Sequence, residues 1–293
     1  MFPRERKREM KPKINLKNPL VQAALIDYQE RIINALNAEQ TVENAIIPIY
    51  HLSKNEAKLQ QIASGVLVKI SNEYFVFSAS HVFDQIGDYA LCTGNGSDNQ
   101  VVQLSGERFS SPKGKTGDHS EDVIDASSYH ITTELPDGLK ERAITLDDFE
   151  MSNNNSENCI FLSAGYRITK SNSTKHYIHC KNEAFPSIEI QDTDYNILQL
   201  NPEINIALWH EKHMLLNGIW QLSPRPRGFS GGAIIKIVPT KSSGDIVYKQ
   251  KLVGIITEHR KKTKNIESVI IGTRVGVHLS AIKVFMPHLV FDE

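Results

Sequence analysis

Residues 228–232 read GFSGG, a serine set among three glycines between the stretch PRPR and the apolar run AII. Glycine accepts the backbone angles of a tight turn. The same tolerance lets successive backbone N–H groups converge on one reacting atom, which makes Ser230 a candidate nucleophile as well as a turn residue. A serine hydroxyl attacks at neutral pH only when a neighbouring base takes its proton. His81, in FSASHVF, is the candidate base, placed behind the apolar run YFVF among small residues that permit close packing. Asp125, in EDVIDASSYHI, is the candidate third member. The chain order is therefore His, Asp, Ser, with intervals of 44 and 105 residues (81 to 125, and 125 to 230).

GFSGG satisfies two catalytic patterns. One is G-x-S-x-G, a strand-turn-helix elbow whose aspartate and histidine follow the serine. The other is G-x-S-G-G, whose histidine and aspartate precede it. Ser230 is followed by AIIKIVP, and then by IVYK and KLVGIIT, which all read as strands. No alternation of strand and helix is present, so the elbow fails on context. SASHV is similar to the T-A-A-H segment of trypsin-like serine peptidases, DASSYHI to their aspartate-led strand, GFSGGAI to their nucleophile loop, and KLVGIIT to the strand after it. The handed-down intervals of that family are roughly 45 and 93 residues, and a surface loop accepts the extra length here. The resemblance covers roughly residues 43–290.

The resemblance implies an all-β, chymotrypsin-like fold of two six-stranded antiparallel β-barrels with the active site in the cleft between them. It implies that His81 acts as base and then acid, that Asp125 holds the imidazole, and that the N–H groups of Gly228 and Ser230 form the oxyanion hole. Asp118 and Asp122 are rivals of Asp125, which is preferred because the aspartate should begin the strand. Ile256, Thr257 and Glu258 are expected on the edge that pairs with substrate backbone. Pro224 stands at the base of the primary pocket, where trypsin has an aspartate, so a preference for basic side chains has no support. Phe229 replaces the aspartate that pairs with a newly cut N-terminus in the family's zymogens, and Val82 replaces a disulfide cysteine. Both departures resemble intracellular bacterial branches of the family.

These residues need strands to hold them. AIIPIYHL, SGVLVKI, YFVFSAS, YALCT and VVQL are short, closely spaced and β-branched, as in an antiparallel all-β domain. MSNNNSEN, 151–158, is a candidate linker, after which strand-like runs resume with CIFLSAGYRI, KHYIHC, SIEI, ILQL, GGAIIKIV and SVIIGTRVGVHL. Before them, residues 20–38 carry Val21, Leu25, Tyr28, Ile32 and Leu36 on one helical stripe, expected to pack on the main body. SAIKVFMPHL is expected to be a short helix with Ser280 as N-cap and Pro287 as stop. The expected division is an arm and helix over 1–42, a first barrel over 43–150, and a second over 151–293.

Composition narrows the function classes. A formal net charge of −1 gives no overall attraction to nucleic acid or anionic membrane. No apolar run approaches the roughly 20 residues of a membrane helix. The start, MFPRERKREMKPK, lacks the apolar segment of a secretory signal and reads as a solvated basic arm or a regulatory one. Three scattered cysteines do not make a disulfide framework, which points to the cytoplasm. His210-Glu211-Lys212-His213 is one residue short of H-E-x-x-H, and His176, His179 and Cys180 have loose ligand spacing, so no metal or cofactor is expected. The expected function is a serine endopeptidase acting on polypeptides through an acyl-enzyme, with a protein activator or regulator as a further candidate partner. A catalytically silent binding module of the same fold is the alternative, and an α/β-hydrolase-type esterase is the less favoured one.

Overall fold

The short β-branched runs form two antiparallel sheets. The computed structural model describes residues 18–52, 59–87, 90–98, 100–119, 122–152, 159–174, 176–210, 213–216, 219–223, 225–242, 245–264 and 266–289. The first half contains β1 (Ile46–Leu52), β2 (Leu59–Ile70), β3 (Glu73–Ala79), β4 (Leu91–Gly94), β5 (Val101–Leu104), β6 (Gly106–Ser110) and β7 (Ala126–Ile131). They lie in the order β5-β4-β1-β2-β3-β7-β6. The two edge strands, β5 and β6, are consecutive in the chain with Ser105 between them, so the sheet must curl until one bent segment serves both edges. That bend explains seven strands where six were expected.

The second half contains β8 (Phe161–Tyr166), β9 (Asn172–Ser173), β10 (Ile178–His179), β11 (Asn182–Ser187), β12 (Asn205–Trp209), β13 (His213–Leu216), β14 (Ile219–Leu222), β15 (Ala233–Ser242), β16 (Asp245–Arg260) and β17 (Val269–Arg274). Six of these form a sheet in the order β11-β8-β15-β16-β17-β12, and β9–β10 and β13–β14 are separate two-stranded ribbons. The residues just past β11 bond the far edge: Trp209 N donates to Ile188 O and Ile190 N to Ala207 O, both at 3.0 Å. This sheet also curls until its edges meet.

Side-chain alternation gives each half its own interior and places a third core between them. Phe75 and Phe77 of β3 face the shared core, with Leu162 and Ala164 of β8, Ile235 of β15 and Leu252 of β16. Val76, between the two phenylalanines, faces the first half's interior with Ile47, Leu67 and Leu104. Ile234, Val253 and Ile256 face the second half's interior with Phe161 and Phe229. Each fully buried large apolar side chain contributes roughly 1.5–3 kcal/mol. The shared core therefore fixes one sheet against the other, which a site built from both halves requires.

The helices are α1 (Pro19–Leu36), α2 (Thr41–Ala45), α3 (Ser80–Ile86), α4 (Asp137–Lys140), α5 (Asp192–Leu198) and α6 (Val275–Phe285). No helix among the described residues is long and apolar enough to cross a membrane. The helix α1 starts as its sequence suggests, with the Asn18 side chain accepting from Leu20 N at 2.9 Å and proline in the first turn. Its stripe packs less than expected. Ala35 is buried, but Tyr28 and Leu36 are 41% and 38% exposed, because the helix meets the body chiefly through its C-terminal end. There Asn34 Nδ2 donates to Tyr248 Oη at 3.1 Å.

Two other expectations are corrected. ILQL is not a strand: Ile197 and Leu198 end α5, whose first turn carries Asp192 and Asp194 and whose Tyr195 and Leu198 bury one turn apart. The C-terminal helix begins at Val275, not after Ser280, because Val275, Leu279, Ile282 and Met286 repeat on one buried face. Ser280 lies mid-helix and its hydroxyl donates to Gly276 O at 2.8 Å. The helix does stop before Pro287. Of the candidate linker, residues 153–158 lie outside the described residues, as does the arm over 1–17.

Candidate active site

The pairing of β3 with β7 sets the first half of the site. Ala79 is opposite Ala126 and Ser78 opposite Ser127, so the residue before β7 meets the start of the helix after β3. Those two residues are Asp125 and His81. Asp125 accepts from the His81 backbone N–H through Oδ1 at 2.9 Å and lies 2.6 Å from His81 Nδ1 through Oδ2. Its own carbonyl accepts from Ser80 N at 3.2 Å. Asp125 has φ +48°, a left-handed angle that aspartate tolerates better than most residues. The carboxylate is nearly buried, while 28% of the His81 side chain is exposed. A hydrogen on Nδ1 directed at the carboxylate leaves Nε2 unprotonated, as a base requires.

The rivals are engaged elsewhere. Asp122 accepts from the Ser111 hydroxyl and from Ile124 N at 2.9 Å, and Asp118 accepts from the Thr116 hydroxyl at 2.8 Å. The second half grips the approach to Asp125: Asn205 Nδ2 donates to Val123 O at 3.0 Å and the Thr273 hydroxyl to Ile124 O.

Ser230 lies in the loop that leads into β15, and its carbonyl accepts from Ser64 N of β2 at 2.9 Å. The Ser64 hydroxyl donates to Gly228 O at 2.8 Å and accepts from Tyr166 N at 2.9 Å, while the Ser78 hydroxyl donates to Ser64 O at 3.0 Å. The glycines are demanded by this contact. A Cβ on Gly231 would lie 2.0 Å from both Ser64 O and Ser78 Oγ, and one on Gly228 2.6 Å from Tyr166 O. Both have positive φ, +80° and +95°. The loop thus abuts Ser78, three residues before His81.

Gly231 N donates to Ile256 O at 2.6 Å, Ile256 N to Gly232 O at 2.8 Å, and Phe229 N to Pro226 O at 3.2 Å. Among the described residues the N–H groups of Gly228 and Ser230 have no hydrogen-bond partner. Phe229, between them, is 1% exposed and stacks on Phe185 with ring centroids 5.5 Å apart. An apolar anchor therefore occupies the position where the zymogens carry a charge.

The expected substrate residues fall in different settings. Ile256 is buried, with both its backbone N–H and C=O bonded to the candidate nucleophile loop. Thr257 is the extra residue of a β-bulge between Ile256 and Glu258, and its hydroxyl donates to Ile271 O at 3.3 Å. Glu258 is exposed and pairs with Arg260 Nε at 2.8 Å. Pro224 lies outside the described residues. Sequence reasoning missed Ser64 and Ser78. The signal was present: both are serines inside apolar strand runs, and buried hydroxyls need partners.

Two curled antiparallel sheets, with His81 and Asp125 on one and the GFSGG loop on the other, make this a chymotrypsin-like fold. It is similar to neuropsin, a serine protease expressed in the limbic system of mouse brain, with a TM-score of 0.52, 13% sequence identity, and coverage of 85% of this chain and 97% of neuropsin. No family model and no curated protein matches the chain. The strand β15 after Ser230 and the antiparallel sheets rule out the α/β-hydrolase elbow.

Proposed function

We propose that the chain is a serine endopeptidase that cleaves polypeptides through His81, Asp125 and Ser230. The observation that carries this reading is the two-point bond of Asp125 to His81, at 2.9 and 2.6 Å, which orients Nε2 away from the carboxylate. His81 would take the Ser230 proton as the hydroxyl attacks the scissile carbonyl, then return it to the leaving amine. The unpartnered N–H groups of Gly228 and Ser230 would receive the developing oxyanion, each such donor being worth about 2.7–4 kcal/mol in the transition state. Substrate backbone would pair along the bulged edge at Thr257 and Glu258, a β-addition. The buried Phe229 supports a loop that needs no cut N-terminus. Cys92, Cys159 and Cys180 form no disulfide among the described residues, which supports a reducing compartment such as the cytoplasm.

A fluorophosphonate probe tests the reading without knowledge of the substrate. Wild-type chain should label and Ser230→Ala should not. Absence of labelling in the wild type, or equal labelling of Ser230→Ala, overturns it.

A further inference from the structure

His81 and Asp125 are not the only histidine–aspartate pair joining α3 to the loop before β7. Asp84, one turn after His81 on the same helix, accepts from both the backbone N–H and the Nδ1 of His119, at 3.1 and 2.7 Å. As with His81 and Asp125, one carboxylate takes both the backbone and the ring N–H of one histidine, here through the single oxygen Oδ2, and the direction is reversed: the helix supplies histidine to the first pair and aspartate to the second. The remaining nitrogen separates them. His119 Nε2 lies 2.9 Å from Ser111 O, and only 1% of its side chain is exposed, so it has no room for a substrate. Burial by itself would raise the Asp84 pKa, but the bonds from His119 and the nearby Arg108, 3.2 Å away, outweigh it and hold the carboxyl below its ordinary range.

We propose that Asp84 and His119 are positioning residues that hold the loop so that Asp125 meets His81. The loop needs such a hold. Asp125 sits at φ +48°, a sparsely populated angle that its neighbours must help to hold. Ser111, whose carbonyl His119 grips, also receives Ala126 N on its hydroxyl at 3.0 Å and donates its own N–H to Ala126 O at 2.8 Å, so the clamp is passed to the residue beside Asp125. Asn205 and Thr273 hold residues 123 and 124 from the second half, and the Asp84–His119 pair adds a hold from α3 at residue 119, on the other side of the loop.

The test reads the His81–Asp125 bond directly, because an imidazole N–H bonded to a carboxylate gives a low-field proton resonance. Such resonances are expected in the full chain from His81, His119 and also His130, whose Nε2 lies 2.7 Å from Glu73 Oε2, and the first two are assigned by their loss in His81→Ala and in His119→Phe. His119→Phe should also move the His81 resonance upfield or broaden it away, and should slow fluorophosphonate labelling about a hundredfold, the scale of a 1 Å misplacement. Asp84→Asn, which keeps the side chain's volume, should do the same. Only the labelling arm depends on the triad reading. If wild type does not label, the hydrolase reading fails and the resonance alone decides the clamp. A His81 resonance that stays in place in a folded variant overturns the proposal. Loss of folding in both variants also overturns it, since the pair would then hold the fold and not the carboxylate.

Discussion

The Ser64 hydroxyl donates to the carbonyl oxygen of Gly228 at 2.8 Å, tying β2 of the first sheet to the loop that carries Ser230 in the second. The Ser64 hydroxyl oxygen also accepts from Tyr166 N, and the Ser64 backbone N–H donates to Ser230 O. One buried serine therefore grips the loop on both sides of Phe229 and keeps it against β2 and β3 of the first sheet.

Ser64→Ala would keep the backbone bond but leave Gly228 O and Tyr166 N unpaired in a buried place. Such a loss costs about 1–3 kcal/mol. The urea midpoint should fall accordingly, and fluorophosphonate labelling of Ser230 should slow, because the Gly228 carbonyl would no longer fix the peptide plane of the loop. An unchanged midpoint and labelling rate would show that Ser64 is incidental.

Asp125→Asn separates charge from backbone strain. Asparagine tolerates the left-handed angle about as well as aspartate, so stability should change little. The amide would favour the wrong imidazole tautomer, and kcat should drop by about 10,000-fold. Peptide hydrolysis near the wild-type rate would remove Asp125 from the mechanism.

Phe229→Asp would introduce the residue that the zymogens use, without the N-terminal partner it needs there. The carboxylate would enter an apolar cluster with Phe185, Ile206 and Ile256, where burying a charge is costly. The variant should lose several kcal/mol, at least the roughly 3–5 expected of Phe229→Ala, and should not label. If Phe229→Asp were as stable and as reactive as wild type, the apolar anchor would not be what holds the loop.

The strands and the turn at GFSGG were legible because their signals are local. VVQL is β5 as it stands in the sequence, and GFSGG declares a turn through its glycines. The helical segments were read wrongly where β-branched residues continue past a strand's end. VGVHL follows β17 with the same residue types, and only the spacing of Val275, Leu279 and Ile282 betrays α6. Ser64 and the pair Asp84–His119 were invisible for another reason. Their partners are distant in the chain, and nothing in the sequence says which buried hydroxyl or imidazole faces which acceptor.

Ser280→Ala tests the corrected helix start. An N-cap serine replaced by alanine costs typically about 1 kcal/mol. A mid-helix serine whose hydroxyl bonds the carbonyl four residues back contributes little or slightly destabilises. Thermal unfolding of Ser280→Ala should therefore stay within about 0.5 kcal/mol of wild type. A loss of a full kcal/mol would restore Ser280 as a cap.

His278 gives the fold a dependence on pH. It is fully buried on α6 and stacks on Phe77, with ring centroids 4.9 Å apart. Its ring approaches the Ser127 backbone, but neither ring nitrogen makes a well-formed hydrogen bond among the described residues. Burial, opposed in small part by the Ser127 backbone, lowers its pKa from 6.5 to about 3. The folded state thus holds a neutral ring, while the unfolded chain takes up a proton below pH 6.5. Stability from this group is fully present above pH 6.5, declines as pH falls, and levels off near pH 3. The slope approaches 1.4 kcal/mol per pH unit, or about 2 kcal/mol by pH 5. His278→Leu removes the titration and keeps an apolar side chain against Phe77. Urea unfolding of wild type at pH 7.5 and pH 5 should show this loss, and His278→Leu should show a smaller one by about that amount. Equal losses in the two proteins would mean that other groups set the acid sensitivity.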